Sequence, residues 1–119
     1  MTALSLPLWA MLIGTPVFIA IGQVLFKVSS GRLADSQNHP LVALALDPVF
    51  LLALALYGSA TLVWIYVLRT VPLAFAYSFM ALTFVLVPIF AALWLGETLT
   101  VKYMIGAGLI IAGLLVVQA

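Results

Sequence analysis

The sequence predicts an all-α fold: an integral membrane protein of four transmembrane helices that works as a dimer. The class rests on composition, since 67% of the 119 residues are hydrophobic and only 6% are charged. About a quarter of an average soluble domain is charged, so too little charge is left here to dress a water-facing surface. Hydrocarbon tolerates such a surface, because lipid tails are as apolar as leucine. The number of spans follows from three polar interruptions that cut the chain into four apolar runs. Dimerisation follows from girth, since four thin helices enclose little interior and a polar pathway needs walls from a second subunit.

The first run, Leu6 to Val28, is apolar apart from Thr15, Gln23 and Lys27. At about 1.5 Å per residue it crosses a hydrocarbon core of roughly 30 Å, with Lys27 reaching the interface. Residues 1–8 lack the positive n-region of a cleavable signal, so this run reads as a retained helix. Ser29 to Asp47 is the one long polar connection and holds Arg32, Asp35, Gln37, Asn38 and His39. Within it Leu41 to Leu46 is too short to span, and after Pro40 it reads as one or two turns at the interface.

Asp47-Pro48 has the form of an N-cap followed by proline at the first helical position. It opens the second span, residues 49–68, which ends at Arg69, a cation suited to a helix C-terminus. The third span, residues 72–95, follows at once and makes a tight hairpin with the second. Gly96-Glu97-Thr98 breaks the run, and Thr100 is the expected N-cap of the fourth span, residues 101–117. Pro16 and Pro88 lie inside spans one and three and are expected to kink them. The whole chain, 1–119, reads as one domain.

Several functions are excluded. The chain has no cysteine and one histidine, His39, so no metal site or cofactor is expected. A net charge of +1 gives no footprint for nucleic acid. No carboxylate pair or nucleophile–base constellation supports an enzyme. Lys27, Arg32 and Lys102 against Arg69 place the first and third loops inside by the positive-inside rule, a small bias that leaves dual insertion open.

Three segments carry a family resemblance. They are Ile21-Gly22-Gln23-Val24-Leu25-Phe26-Lys27, Val71-Pro72-Leu73-Ala74-Phe75-Ala76-Tyr77, and Gly96-Glu97-Thr98-Leu99-Thr100 followed by Gly106 to Gly113. In this order they resemble the small four-helix members of the drug/metabolite transporter superfamily, which include the small multidrug resistance proteins. Multidrug exporters of that group carry a first-helix glutamate shared by proton and drug; aligning Gly22 and Lys27 puts Ile19 there. Their third-helix tryptophan and glycine are here Met80 and Ala81. No span has a central carboxylate, which a cation-for-proton exchanger needs.

The chain is more similar to the branch of subunits that flip undecaprenyl-phosphate-linked aminoarabinose. The Gly22-Gln23 pair and the run from Ala76-Tyr77 to Phe84-Val85 carry that likeness. The resemblance implies a dimer, homomeric or with a related small subunit, whose first three helices line a substrate chamber and whose fourth helices hold it together.

The substrate-binding candidates are Lys27, Gln23, Tyr77, Thr83 and Glu97. Lys27 and Gln23 share a helix face one turn apart; Lys27 suits a lipid phosphate or equally a snorkelling anchor. Gln23 needs a partner in lipid, either another helix or substrate. Tyr77 shares a stripe with Ala81, Phe84 and Pro88 and suits a sugar headgroup or the interfacial belt. Glu97, unfavourable at a helix C-terminus, suggests pairing with Lys27 or Lys102, or a role at the start of the fourth helix. Gly106, Gly108, Ala112 and Gly113 are the expected dimer interface, because small residues let helices approach closely. Trp9, Tyr57, Trp64 and Tyr66 read as belt or packing residues, and His39, Asp35 and Asp47 as solvated loop groups.

The expected function is a flippase for a lipid-linked sugar phosphate: the tail stays among membrane lipids while a small head crosses a chamber without central charge. The rivals are a multidrug or metabolite exporter of the same superfamily and a non-transporting partner subunit.

Overall fold

The computed structural model describes residues 5–118 and contains, within them, six α-helices and no strand. They are α1 (Leu6–Asp35), α2 (Pro40–Leu46), α3 (Pro48–Leu68), α4 (Leu73–Ser78), α5 (Thr83–Leu95) and α6 (Val101–Gln118). A 3₁₀ turn, Phe79–Leu82, joins α4 to α5, so α4, the turn and α5 together form the third span. Four helical stretches, Leu6–Asp35, Pro48–Leu68, Leu73–Leu95 and Val101–Gln118, are long and apolar enough to cross a membrane. The all-α, four-span architecture read from composition is the one observed.

The local signals at helix starts act as their chemistry requires. Asp47 Oδ1 accepts from Val49 N–H at 3.0 Å, with Pro48 opening α3. Thr100 Oγ1 accepts from Tyr103 N–H at 3.0 Å at the start of α6. His39 Nδ1 caps the short α2 by accepting from Leu41 N–H at 3.2 Å, which is a task the sequence did not assign to it. The third span closes on Gly96 at φ 70°, the left-handed conformation glycine adopts freely.

The first helix departs from expectation. It outlasts its apolar run by seven residues and ends at Asp35, so the long polar connection shrinks to residues 36–39 before α2. Tertiary chemistry explains the extension. Arg32 Nε lies 3.0 Å from Asp47 Oδ1, and the Asp47 side chain is only 6% exposed. A buried carboxylate must be paired, and α1 reaches it by staying helical for two further turns. Asp47 is therefore not a solvated loop group; it caps α3 and ties its start to the end of α1.

α1 is the axis of the molecule, packing along α3 and α5. At the end away from Asp47, a cluster of Leu12, Val67, Val71, Ala76 and Phe79 fills the space between α1, α3 and α4. Trp9 meets Phe79 edge-on, ring centroids 5.7 Å apart, and Phe75 meets Phe79 at 5.6 Å. Trp9 and Trp64 pack against this cluster, which settles them as packing residues. Tyr66 lies under the Arg69 guanidinium at 4.4 Å, a cation–π contact at the end of α3.

Toward the Asp47 end, Phe26 stacks on Tyr57 at 5.1 Å and meets Phe50 at 6.1 Å. Gly22 makes this possible. A Cβ at position 22 would sit 2.7 Å from the Tyr57 ring, a distance real side chains do not tolerate. The molecule measures 53 × 36 × 19 Å. With helices about 10–12 Å across, the short dimension holds no more than two layers, so most helix faces look outward.

Neither proline ends its helix: α1 runs through Pro16 and α5 through Pro88. The irregularity of the third span falls earlier, at Phe79–Leu82.

Gly22→Ala is expected to lower the stability of the detergent-solubilised protein by about 1–3 kcal/mol through overpacking. Thermal unfolding followed by circular dichroism checks it, and an unchanged midpoint would show that Tyr57 can yield.

Candidate functional site

A cleft of about 280 Å³ lies where the first, third and fourth spans meet, lined by Ile19, Gln23, Thr83, Phe84, Val87 and Tyr103. Ile19 and Gln23 face it because they are one turn apart on α1. Thr83 and Val87 repeat that spacing on α5. Tyr103 reaches in from the first turn of α6, so the lining is not confined to the first three helices as the resemblance implied. Two of the five expected substrate residues, Gln23 and Thr83, are thus brought together.

The cleft has polarity without charge. Gln23 Nε2 donates to the Tyr57 hydroxyl, so the second span also contributes, through the tyrosine whose ring rests on Gly22. Thr83 Oγ1 donates to the Met80 carbonyl at 2.7 Å, and Tyr103 Oη donates to the Phe84 carbonyl at 2.8 Å. No lining residue is a carboxylate or a cation, and Ile19, where an exporter's glutamate would stand, puts a branched alkyl group into the cleft.

A second, apolar groove of about 380 Å³ runs between the third and fourth spans, lined by Pro88, Ile89, Leu99, Met104 and Ile111 among others. Phe84 and Tyr103 border it as well as the cleft, and together they form the wall between the two.

The other expected substrate residues lie elsewhere. Lys27 is exposed, one turn from Gln23 toward the Asp47 end of α1, and has no carboxylate within 4 Å among the described residues. Glu97 is exposed beyond the end of α5, and its expected pairing with Lys27 or Lys102 is not formed. Tyr77 is 64% exposed and off the cleft. The 3₁₀ turn explains that displacement. Each of its four residues advances about 20° more than an α-helical one, so Tyr77 is rotated roughly 80° from the stripe it would share with Phe84 and Pro88.

The four small residues of α6 do not form a single stripe. At about 3.6 residues per turn, Gly106 and Gly113 fall on one side and Gly108 on nearly the opposite one, where it borders the apolar groove. Ala112 and Gly113 are exposed on the outward face beside Ile105, Leu109 and Val116.

Tyr57 and Tyr103 are the residues of the cleft's hydrogen bonding that sequence reasoning missed. A signal for Tyr57 exists in hindsight, since a glycine beside a lone in-span glutamine marks a place for a ring with a hydroxyl. Tyr103 carries a weaker one, a hydroxyl on the span following the one that holds Pro88.

The EamA-like transporter family model matches residues 1–118. The chain is 33% identical over 114 residues to the probable 4-amino-4-deoxy-L-arabinose-phosphoundecaprenol flippase subunit ArnF of Erwinia tasmaniensis, covering 88% of this chain and 89% of that one. It is 48% identical over 59 residues to the probable ArnE subunit of the same flippase and organism, over 49% of this chain and 54% of that one. It is 29% identical over 109 residues to the probable ArnE subunit of Escherichia fergusonii, covering 92% and 95%. No solved structure matches the chain.

The Gln23–Tyr57 bond predicts that Gln23→Leu and Tyr57→Phe each destabilise the protein by roughly 1 kcal/mol. The double variant is expected to lose little more than either single one; additive losses in denaturation by sodium dodecyl sulfate would show that the two side chains act separately.

Proposed function

The chain belongs to the EamA-like transporter family, and on that premise we propose that it moves a polyprenyl-phosphate-linked sugar, or a similar lipid-linked headgroup, across the membrane. It is a transporter rather than an enzyme, a multi-pass protein of the bacterial inner membrane. The observation that carries the finer reading is the uncharged polar cleft, into which Ile19 puts an alkyl group where the family resemblance would align an exporter's acid. About 280 Å³ is just below the usual range of drug-sized ligand pockets, about 300–1,000 Å³, enough for a headgroup and not for a lipid. The tail then stays in hydrocarbon while the head finds hydrogen-bonding groups at Gln23, Thr83 and Tyr103.

Support also comes from the relatives, which are named as probable subunits of a flippase for such a lipid. Lys27 lies outside the cleft, exposed one helical turn beyond Gln23, and its charge is our candidate to meet the linking phosphate without being buried. Tyr77 and Glu97 remain candidate contacts along the approach outside the cleft. The multidrug-exporter reading lacks the buried acid that would trade a proton for a cation.

The test uses proteoliposomes with a fluorescent polyprenyl-phosphate sugar and a membrane-impermeant quencher. The protein should speed equilibration of the label between leaflets, equally with and without a pH gradient. Gln23→Leu and Lys27→Ala should each slow it severalfold. Absence of any acceleration over empty vesicles would overturn the reading, and a rate that follows the proton gradient would favour the exporter.

Similarity to two differently named subunits favours a working unit of two chains, either two copies or this chain with a related small subunit. We place the contact on the outward face of α6 around Ala112 and Gly113, with Gly106 at one edge and Gly108, which borders the groove, at the other. Gly113→Leu should then abolish cross-linked dimers in native membranes, and undiminished cross-linking would move the interface elsewhere.

A further inference from the structure

Pro88 has no N–H, so the carbonyl of Phe84, four residues earlier in α5, is without its helical donor. Where there is no water, such a carbonyl must be matched by another protein group. Tyr103 matches it from a different span, its hydroxyl donating at 2.8 Å. The remaining polar groups of the cleft are committed more locally: Thr83 to its own helix, and Gln23 to Tyr57 on the closely packed α1–α3 pair. The Phe84 carbonyl is thus an acceptor held by a side chain on α6, the least buried of the four spans. It also lies in the wall shared by the polar cleft and the apolar groove.

Resting on the lipid-linked-sugar reading above, we infer that the Phe84 carbonyl is a binding group of the headgroup site, taking a sugar hydroxyl of the head as donor in exchange for Tyr103. The exchange keeps the number of hydrogen bonds constant, so the carbonyl is never left bare. Release of Tyr103 also opens the wall, and the groove lined by Pro88, Ile89, Leu99 and Met104 takes the isoprenoid chain. Head and tail are covalently joined, so a cleft that accepts the head must open onto an apolar passage, and this groove adjoins it.

Two substitutions act on the carbonyl in opposite directions. Pro88→Ala restores an N–H and returns the carbonyl to the helix, whereas Tyr103→Phe removes the competing hydroxyl. Binding of a fluorescent polyprenyl-phosphate sugar to the full chain in nanodiscs is compared with binding of the same probe bearing O-methylated sugar hydroxyls. For exchange of one hydrogen bond, Tyr103→Phe should bind the hydroxylated probe about fivefold more tightly and Pro88→Ala about fivefold more weakly. All three proteins should bind the methylated probe alike. Shifts of the same sign in both variants, or equal shifts with both probes, would mean a packing role and overturn the assignment.

If the unsubstituted protein binds neither probe, the lipid-linked-sugar reading itself has failed. The wall is tested without substrate in Thr83→Cys, which places one thiol in a chain that has none. Adding Tyr103→Phe should accelerate its labelling by a small maleimide severalfold, and an unchanged rate would refute the opening.

Discussion

Inside a bilayer no water completes an unmet hydrogen bond, and this constraint decides how the four spans are joined. Several hydroxyls in the spans turn back on their own helix, while those of Thr15 and Ser29 are buried without a side-chain hydrogen bond. Thr61 donates to the Tyr57 carbonyl, Ser78 to that of Phe75 and Thr83 to that of Met80. Such bonds satisfy the hydroxyl but fasten nothing to a neighbour. Among the described residues only two side-chain hydrogen bonds run between spans, Gln23 to Tyr57 and Tyr103 to the Phe84 carbonyl. Both involve residues that line one cleft. The polar ties that hold the bundle together and the groups available to a polar headgroup are therefore largely the same atoms. A substrate that enters by hydrogen bonding competes with the bundle's own cohesion, which is a physical route from binding to movement.

Charge is handled in the opposite way. A charged side chain costs about 2.5–3.5 kcal/mol at a helix centre even on insertion scales. Here Arg32 and Asp47 meet beyond the apolar part of the first span, Arg69 caps α3, and Glu97 and Lys102 flank the last loop. The middle of the bundle has no fixed charge to balance a substrate's charge or to load a proton. A net charge on the headgroup would feel the membrane potential, about 2.3 kcal/mol per charge per 100 mV. A zwitterionic head would feel little, and hydrogen bonding alone would then govern its passage.

What the sequence made legible were the features set by nearest neighbours and by solvent. Four spans follow from apolar length, and the caps at Asp47 and Thr100 follow from a side chain two or three residues from the N–H it accepts. What it hid depends on residues distant in the chain. The extension of α1 to Asp35 needs the Arg32–Asp47 pair, fifteen positions apart. Tyr77 looked to be in register with Pro88 because helical spacing was assumed throughout, and the 3₁₀ turn between them breaks it. Gln23 and Thr83 were readable as candidates because a polar side chain in a span must be explained. Tyr57 and Tyr103 were not, because an aromatic with a hydroxyl is equally at home in the interfacial belt, and only packing distinguishes the two.

The fourth span joins these lines of argument. One side presents Tyr103 to the cleft and Met104 and Ile111 to the groove, while its outward side presents Ala112 and Gly113 with exposed Ile105, Leu109 and Val116. It is also the span least buried by the rest of the chain, and beside its packing on α4, the 3₁₀ turn and α5 the Tyr103 hydroxyl is its one side-chain hydrogen bond to another span among the described residues. A second subunit packed on the outward side would restrain the tilt of α6, and with it the reach of Tyr103 to Phe84. Pairing and headgroup binding would then act on one helix from opposite sides. Two subunits with unlike outer faces would hold that helix differently while keeping the same inward chemistry, so a partner could tune the cleft without contributing a residue to it.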